Sequence, residues 1–226
     1  MKKNIVIVGD GEFAEIAHEY FTYDSDYNVV GFAVESEYIT KEQLFGKPVV
    51  KLEEIELTFP PSEYDAFVAV TYTKLNRVRT RLFEIMKRKG YGLVSYISSQ
   101  SFVWRDVEIG ENCFIFEDNT LQYKVVLGNN IVLWSGNHIG HRTRIMDNCY
   151  LTSHIVVSGY CTIGESCFIG VNATIGDNVK IAKDCIVAAG SVVVKNLENV
   201  GKIYLGSPAR IQTKSAYEQF GIADEE

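Results

Sequence analysis

IGESCFIGVNATIGDNVK, residues 163–180, repeats an isoleucine followed by glycine every six residues. The same spacing extends in both directions, and every sixth residue from Ile97 to Val193 is Ile, Leu or Val. Gly, Asn and Asp recur just after these positions, and these residue types tolerate tight turns. A six-residue repeat therefore governs the second half of the chain.

A period of six matches neither the 3.6 residues of a helical turn nor the alternation of a plain strand. It indicates short strands joined by turns, each strand pointing one large aliphatic side chain inward. Three such strands make a triangular coil of about eighteen residues, and stacked coils form parallel sheets about 4.8 Å apart. The sequence thus predicts a parallel β-helix.

These repeats resemble those of the hexapeptide-repeat acyltransferases, and a closing GSPAR motif (Gly206 to Arg210) is typical of that family's C-terminal end. The resemblance implies a left-handed parallel β-helix over 95–200, followed by a GSPAR loop and tail over 201–226. Repeats of this kind establish fold rather than chemistry, because one fold serves many functions.

Residues 1–94 have a different pattern, in which strands alternate with helices. Apolar strands are predicted at 4–8, 28–34 and 64–70, and a basic amphipathic helix at 74–89. The helix after the first strand has its apolar face at Phe13, Ile16, Ala17 and Tyr20. Such alternation predicts a small, Rossmann-like parallel βαβ sheet with ligands at the carboxyl ends of its strands.

Three interpretations of this domain remain open from its residues. GDGEFA at 9–14, with Glu35 after the second strand, is compatible with dinucleotide binding. The turn can equally be a βα connection without a ligand. The combination of a short βαβ domain with a β-helix resembles the bacterial nucleotide-sugar N-acetyltransferases of surface-glycan pathways, in which this domain binds the nucleotide sugar. That resemblance implies a site at Gly9, Asp10, Gly11, Glu12, Phe13, Glu35, Thr71, Tyr72 and Thr73. Because Asp10 and Glu12 disfavour an anion, the pyrophosphate is expected elsewhere.

Composition excludes several classes of protein. Twenty-two basic and 29 acidic residues give a net charge of -7, which argues against nucleic-acid binding. No apolar run approaches the ~20 residues of a membrane span, and the first residues indicate a strand instead of a signal peptide. We therefore expect a cytoplasmic protein.

The five cysteines share one phase of the repeat, four residues after one inward aliphatic residue and two before the next. They are Cys113, Cys149, Cys161, Cys167 and Cys185. Their odd number and the lack of CxxC spacing argue against disulfides and zinc sites. We predict that they pack in the core.

Three histidines fall within the β-helix, where they can be metal ligands or catalytic bases. Their phases in the repeat differ: His138 lies one residue before an inward position, His141 two residues after one and His154 three residues after one. The three side chains therefore point in different directions, and no metal site is expected. In the resembling family the base is a histidine one coil before a glycine, which His141 satisfies with Gly159. His138 is the competitor, within WSGNHIGHR, a segment similar to the GDP-perosamine-type branch of these enzymes. His18, on the first helix, is expected to be structural or exposed.

One departure from the family concerns the orientation of His141. Related enzymes often have a carboxylate directly after the histidine, and this chain has Arg142. A nearby cation disfavours imidazolium but cannot orient the ring. Glu117, Asp118 and Asn119 are candidates for orienting it from an earlier coil, and they can equally be polar corner residues.

The resemblance also implies acetyl-CoA as co-substrate, bound in a groove between neighbouring β-helices of a homotrimer. The corresponding positions are Gly159, Val171, Ala188, Ala189, Lys195 and Arg210, of which the last two can also be ordinary surface charges. Aromatic residues at outward phases, expected to be exposed apolar patches, favour assembly. They are Phe114, Tyr123, Trp134 and Tyr150.

The leading hypothesis is acetyl transfer from acetyl-CoA to the amino group of a nucleotide-linked deoxyamino sugar of the O-antigen or lipopolysaccharide type, namely a GDP-, dTDP- or UDP-linked 4-amino-4,6-dideoxy sugar. His141 is the predicted base. O-acylation of a sugar hydroxyl and a non-catalytic, nucleotide-sugar-binding β-helix remain alternatives.

Overall fold

A computed structural model describes residues 2–222, which divide into two compact units. The first comprises residues up to 71 together with 78–96, and the second comprises 72–77 together with the chain from 97 onward. The boundary falls inside the two-residue strand β6 (Tyr96–Ile97). The short segment 72–77 thus belongs to the second unit, although the sequence predicted it within the first domain.

The first unit is a five-stranded sheet with helices. In chain order its elements are β1 (Lys3–Val8), α1 (Glu12–Tyr23), β2 (Tyr27–Val34), β3 (Gln43–Leu44), β4 (Lys47–Lys51), α2 (Ile55–Thr58), β5 (Asp65–Val68) and α3 (Arg77–Arg88). The strand order is β3-β4-β2-β1-β5, with β4, β2, β1 and β5 parallel. This confirms the small parallel sheet.

The edge of this sheet is a feature that the sequence analysis missed. β3 pairs antiparallel with β4 through a turn at Phe45 and Gly46, both of which have positive φ. The strand β3 has only two residues, too few to show an alternating pattern.

The apolar face of α1 is rotated from the predicted one. Phe13 and Ala17 are buried as expected, but Ile16 and Tyr20 are only half-buried. His18 and Phe21 take part in the core instead. The imidazole of His18 stacks on Phe45 with ring centroids 4.3 Å apart, and burial lowers its pKa. Its structural role agrees with the sequence.

The second unit is a left-handed parallel β-helix, as predicted. Three strands per coil form three faces, and strands eighteen residues apart pair in register. Its two-residue strands after β6 are β7 (Phe102–Val103), β8 (Glu108–Ile109), β9 (Phe114–Ile115), β10 (Thr120–Leu121), β11 (Val126–Leu127), β12 (Val132–Leu133), β13 (His138–Ile139), β14 (Arg144–Ile145), β15 (Tyr150–Leu151), β16 (Val156–Val157), β17 (Thr162–Ile163), β18 (Phe168–Ile169), β19 (Thr174–Ile175), β20 (Lys180–Ile181), β21 (Ile186–Val187) and β22 (Val192–Val193).

The hexad series forms the core of this unit. Its inward positions from Ile115 to Val193 are all buried, which confirms the pattern. Val103 and Ile109 are only half-buried, and Ile97 is 40% exposed. It lies at the end of the stack, where a coil has a neighbour on one side only.

The cysteines lie in this core with free thiols, as predicted. Each donates to a carbonyl of the following coil; the Sγ of Cys161, for example, lies 3.1 Å from the carbonyl oxygen of Gly176. Burial raises the pKa of Cys167 well above that of an ordinary thiol. The thiol of Cys167 therefore stays protonated and is a packing group, not a nucleophile.

The three faces differ in the side chains that point outward. The charged face, formed by β8, β11, β14, β17 and β20, presents Glu108, Val126, Arg144, Thr162 and Lys180. The covered face, formed by β9, β12, β15, β18 and β21, presents Phe114, Val132, Tyr150, Phe168 and Ile186. The uncharged face, formed by β7, β10, β13, β16, β19 and β22, presents Phe102, Thr120, His138, Val156, Thr174 and Val192.

The covered face corrects the predicted aromatic patch. Phe114 and Tyr150 are buried within the chain and Trp134 is half-buried, so only Tyr123 of the four is exposed. The ring of Tyr72 packs 5.1 Å from that of Tyr150 and 4.9 Å from that of Phe168. A hexad period indicates which side chains point outward but not which outward face another segment covers.

The C-terminal region contains regular structure on both sides of the predicted GSPAR loop. β23 (Lys202–Leu205) continues the covered sheet and pairs antiparallel with β24 (Arg210–Ser215), so GSPAR forms the turn of a hairpin. The helix α4 (Ala216–Phe220) follows, with a capping box formed by Ser215 and Glu218. Among the described helices, none is long and apolar enough to cross a bilayer.

Candidate active site

His141 lies at the corner that joins the uncharged face to the charged face, directly after β13. We name this edge the histidine corner; it comprises residues 104–107, 122–125, 140–143, 158–161, 176–179 and 194–197. The turn there is tight, and Arg142 has a left-handed φ of 58°. His141 is exposed to solvent, as a group that meets a substrate must be.

Gly159 provides the space that the His141 ring occupies. A Cβ atom on Gly159 would lie 2.6 Å from Cε1 and 2.9 Å from Nε2 of His141, closer than real Cβ atoms come. The eighteen-residue separation thus brings the two residues together, as the sequence predicted. A side chain at position 159 would displace the imidazole.

Neighbouring coils hold the backbone on both sides of His141. Its N–H donates to Oε1 of Gln122 over 3.1 Å, and the N–H of Gly159 donates to Oδ1 of Asp177 over 3.0 Å. The ring of Tyr160 packs edge-on against the imidazole, with centroids 5.1 Å apart. Among the described residues, none forms a hydrogen bond to a ring nitrogen of His141, so both nitrogens are available to ligands.

The cation beside the histidine is held by aromatic rings. The Arg142 guanidinium lies 5.5 Å from the ring centroid of Tyr123 and 5.8 Å from that of Tyr160. These cation–π contacts fix a positive charge next to the imidazole. Sequence reasoning identified Arg142 but not the two tyrosines that position it.

Replacement of Gly159 tests this packing. We expect Gly159→Ala to displace the His141 ring and to lower kcat by about 100-fold, the effect typical of misplacing a catalytic group by about 1 Å. Gly176→Ala is the matched control, because a Cβ there meets nothing closer than the carbonyl oxygen of Val193 at 3.4 Å. Steady-state kinetics and the thermal midpoints of both variants check this; equal kcat values would contradict it.

A cavity of about 240 Å³ opens beside His141. Its other lining residues are Phe102, Trp104, Gln122 and Tyr123, all from the first two coils. The three aromatic side chains are 43–54% exposed. The sequence offered one signal for this cavity, since Tyr123 precedes His141 by eighteen residues; Gln122 and Trp104 were missed.

The residues predicted to orient the His141 ring do not lie at the histidine corner. Glu117, Asp118 and Asn119 belong to the corner that joins the covered face to the uncharged face, which we name the glutamate corner. Glu117 accepts a hydrogen bond from Ser135 over 2.6 Å, and buried Asn119 donates to the carbonyl of Phe116. Within one chain these residues do not reach the His141 ring.

The three histidines of the β-helix are also kept apart. His138 lies on the uncharged face in register with Thr120 and Val156, whereas His154 lies at the glutamate corner against Gly136. Over residues 2–222, the structure contains no group of three or more His, Cys, Asp or Glu residues that could hold a metal ion.

The positions predicted for CoA fall into two groups. Lys195 and Arg210 line one cavity of about 440 Å³, together with Asn196, which sequence reasoning missed. Gly159 and Lys195 share the histidine corner. Val171, Ala188 and Ala189 lie at the glutamate corner, on the other edge of the uncharged face.

The nucleotide-site candidates of the first unit occupy the ends of its strands. Gly9 has φ 120°, and a Cβ there would meet the carbonyl oxygen of Ala69 at 2.8 Å, so close backbone approach explains this glycine. Asp10 links it to Gly11, the N-cap of α1, and Glu12 and Phe13 begin the helix.

Two other candidates have partners that the sequence did not reveal. Both oxygens of Glu35 accept hydrogen bonds from Arg81, over 2.6 and 2.8 Å, and this contact raises the pKa of Arg81. Tyr72 packs on the covered face, in the second unit with Thr73, whereas Thr71 lies in the first unit. Arg81 was missed because a basic residue on an amphipathic helix normally faces solvent.

Comparisons with known proteins agree with this architecture. The family model described as bacterial transferase hexapeptide (six repeats) matches residues 160–195. A search of curated protein sequences found no match.

Solved structures match both units. PerB from Caulobacter crescentus, in complex with CoA and GDP-perosamine, has 25% identity and a TM-score of 0.82 over 92% of this chain and 97% of its own. A mutant perosamine N-acetyltransferase from the same organism has 24% identity and a TM-score of 0.82 over 93% and 97% of the two chains. The acetyltransferase domain of PglB from Neisseria gonorrhoeae has 21% identity and a TM-score of 0.82 over 93% and 100%.

Proposed function

We propose that this chain, which has the hexapeptide repeat and the fold of these sugar N-acetyltransferases, transfers an acetyl group from acetyl-CoA to the amino group of a nucleotide-linked deoxyamino sugar. The observation that carries the proposal is the exposed His141 imidazole, held against Gly159 beside a cavity. PerB, with CoA and GDP-perosamine bound, supports this substrate class.

The reaction needs a base, because an amine that attacks a carbonyl carbon must lose a proton. A nitrogen of His141 accepts that proton as the sugar nitrogen bonds to the thioester carbon, and the C–S bond then breaks to release CoA as the thiol. General bases of this kind contribute typically 100- to 10,000-fold to the rate. His138 remains the alternative base.

The oxyanion that develops on the thioester carbonyl needs hydrogen-bond donors other than the backbone N–H groups of Gly159 and Tyr160. The N–H of Gly159 is engaged by Asp177, and the N–H of Tyr160 donates to the carbonyl of His141 over 2.9 Å. Gly159 therefore contributes space for the imidazole instead of a donor.

Two cationic side chains, Lys195 and Arg210, line one cavity with a single carboxylate, Glu198, and this excess of positive charge supports binding of the CoA phosphates there. We expect Arg210→Ala to raise the KM for acetyl-CoA about tenfold, as loss of one charge-assisted contact does. The KM for 3′-dephospho-acetyl-CoA, which lacks one phosphate, serves as comparison. An unchanged KM for both donors would remove Arg210 from the site.

The uncharged face supports the proposed homotrimer. It has no Lys, Arg, Asp or Glu on its strands, and Phe102 and Val156 are 54% and 42% exposed there. It also separates the histidine corner from the glutamate corner, where Val171, Ala188 and Ala189 lie. A second copy against this face would bring the two groups of CoA candidates together.

Introducing a charged residue on the uncharged face tests whether this face forms the trimer interface. We expect Val156→Glu to yield monomers without activity, because a buried carboxylate at an interface costs several kcal/mol. Thr162→Glu places the same charge on the charged face and is expected to leave the trimer intact. Light scattering measures both, and a trimeric Val156→Glu variant would exclude this face.

The first unit supports nucleotide binding through the strand ends that carry Gly9, Glu35 and Thr71. Thermal-shift screening with UDP-, GDP- and dTDP-linked amino sugars identifies the nucleotide, which narrows the choice of pathway. Free, buried cysteines agree with the reducing conditions of the cytoplasm.

Thiol release from acetyl-CoA tests the proposed function. Release that requires an amino sugar nucleotide supports it; release only with a hydroxyl sugar identifies an O-acyltransferase, since the same base serves a hydroxyl. Binding of the sugar nucleotide without any release would indicate a binding protein.

A further inference from the structure

The first three coils of the histidine corner carry an excess of positive charge. They contain three cationic residues and one carboxylate, which are Arg105, Lys124, Arg142 and Asp106. The whole chain has a net charge of -7, so the sign of the charge at this corner is opposite to that of the protein. Clustered cations on an otherwise acidic protein attract anionic ligands.

Two of these cations lie one coil apart at equivalent positions of the corner. Lys124 and Arg142 are separated by eighteen residues, and both have a left-handed φ, of 56° and 58°. The ammonium of Lys124 lies 5.3 Å from the ring centroid of Tyr123, and the guanidinium of Arg142 lies 5.5 Å from the same centroid. Two cations that share one ring repel each other, and an anion bound beside both would relieve this repulsion.

Neither cation is neutralised by a side chain of the protein. Over residues 2–222, exposed Lys124 and Arg142 form no ion pair and no side-chain hydrogen bond. Asp106, the one carboxylate of these coils, accepts the backbone N–H of Lys124 over 3.0 Å. Tyr123 and Tyr160 hold the guanidinium through cation–π contacts, which leave its N–H groups available to a ligand.

A diphosphate is the anion that both proposed substrates carry, and the lengths of the two substrates decide between them. In acetyl-CoA the long pantetheine arm separates the thioester from the phosphates, so a thioester at His141 places the phosphates far from Arg142. In a nucleotide-linked amino sugar only the sugar ring separates the amine from the diphosphate. An amine at His141 therefore brings its own diphosphate within reach of the neighbouring cations.

We propose that Lys124 and Arg142 bind the diphosphate of the acceptor and thereby hold its amine at His141; this rests on the proposed function. Hydrogen bonds from ammonium and guanidinium groups to phosphate oxygens are charge-assisted, which makes them strong and directional. The sequence analysis expected the pyrophosphate away from Asp10 and Glu12, and the histidine corner supplies the cations that their turn lacks.

Removal of each charge, with the side-chain length kept, tests the assignment. The KM for the amino sugar nucleotide is compared in the wild type, Arg142→Gln, Lys124→Gln and Arg142→Lys. Arg144→Gln is the control, because it removes an exposed cation of the charged face from the same coil. We expect the KM to rise about tenfold in each glutamine variant, as loss of one charge-assisted contact does, and to rise less in Arg142→Lys. The control and the KM for acetyl-CoA should change by less than about twofold.

The methyl glycoside of the same amino sugar, which has no diphosphate, completes this test. It is expected to be a poorer acceptor whose KM is the same in the wild type and in the glutamine variants. Equal effects on both acceptors, or no effect on either, overturn the proposal. So does a rise confined to the KM for acetyl-CoA, or a change confined to the pH profile of kcat, which would indicate that Arg142 only adjusts the basicity of His141. Lys124→Gln carries the test alone if Arg142→Gln does not fold.

A binding measurement separates this proposal from the proposed function. Titration calorimetry without acetyl-CoA measures the affinity for the amino sugar nucleotide, and inorganic pyrophosphate is expected to compete with it in the wild type but not in Arg142→Gln. Such competition without turnover would refute the acetyl transfer and retain the phosphate site. Turnover that neither glutamine variant affects would refute the phosphate site alone. The absence of both competition and turnover would refute both.

Discussion

His141→Ala is expected to lower kcat by 100- to 10,000-fold while the fold remains intact. The imidazole is exposed at its corner and packs against a glycine, so its removal leaves no cavity in the core. Binding of acetyl-CoA and of the sugar nucleotide should change little, because the lost interaction belongs to proton transfer. Single-turnover acetylation and the KM values of both substrates measure this.

The other two histidines of the β-helix are the controls. His138→Ala and His154→Ala are expected to retain kcat within about fivefold, since neither ring lies at the histidine corner. A His138→Ala variant that loses activity while His141→Ala keeps it would transfer the role of base to His138. Recovery of His141→Ala activity at higher pH would identify the missing step as proton removal.

Asp184→Ala is expected to destabilise the β-helix unit by about 3–5 kcal/mol, the cost of breaking a buried ion pair. The side chain of Asp184 is 3% exposed and lies 2.6 Å from Nη2 of Arg77. Its other oxygen accepts the hydroxyl of Tyr217 over 2.9 Å. One carboxylate thus fastens both the 72–77 segment and the C-terminal helix. Urea unfolding measures the change.

The backbone conformation of Asp184 also contributes to the destabilisation expected for Asp184→Ala, and a second variant separates this contribution from that of the ion pair. Asp184 has φ 62°, a conformation that Asn and Asp tolerate better than Ala. Asp184→Asn keeps this tolerance and the hydrogen-bonding oxygen, so we expect it to cost about half as much as alanine. Glu108→Ala removes an exposed carboxylate of the charged face and should change stability by less than about 0.5 kcal/mol. Equal stabilities of Asp184→Ala and Glu108→Ala would contradict a stabilising role for the contacts of Asp184 with Arg77 and Tyr217.

The sequence was sufficient to predict the core because one residue in six decides what points inward. Parallel coils stack in register, so a separation of eighteen also identified the contact between His141 and Gly159. The repeat could not identify hydrogen-bond partners that depend on side-chain length and conformation, such as Gln122 for His141 or Arg81 for Glu35. Nor could it show that Tyr72 covers the face of Tyr150, because coverage by a distant segment leaves no period.

The position of Glu117 illustrates the same limit. Its proximity in sequence to the histidine coils suggested an orienting role, yet it lies at a different corner and accepts from Ser135. Corner identity follows from position in the eighteen-residue coil, and 117 and 141 share a hexad phase but are 24 residues apart, one coil and one further hexad.

The most direct test of acetyl transfer uses acetyl-CoA labelled with ¹³C in its carbonyl group and the nucleotide-linked amino sugar selected by thermal shift. NMR of the product is expected to show the label in an amide on the sugar nitrogen, formed by the wild type and strongly reduced with His141→Ala. Label recovered in an ester, or only in unreacted acetyl-CoA, would contradict N-acetylation at this corner.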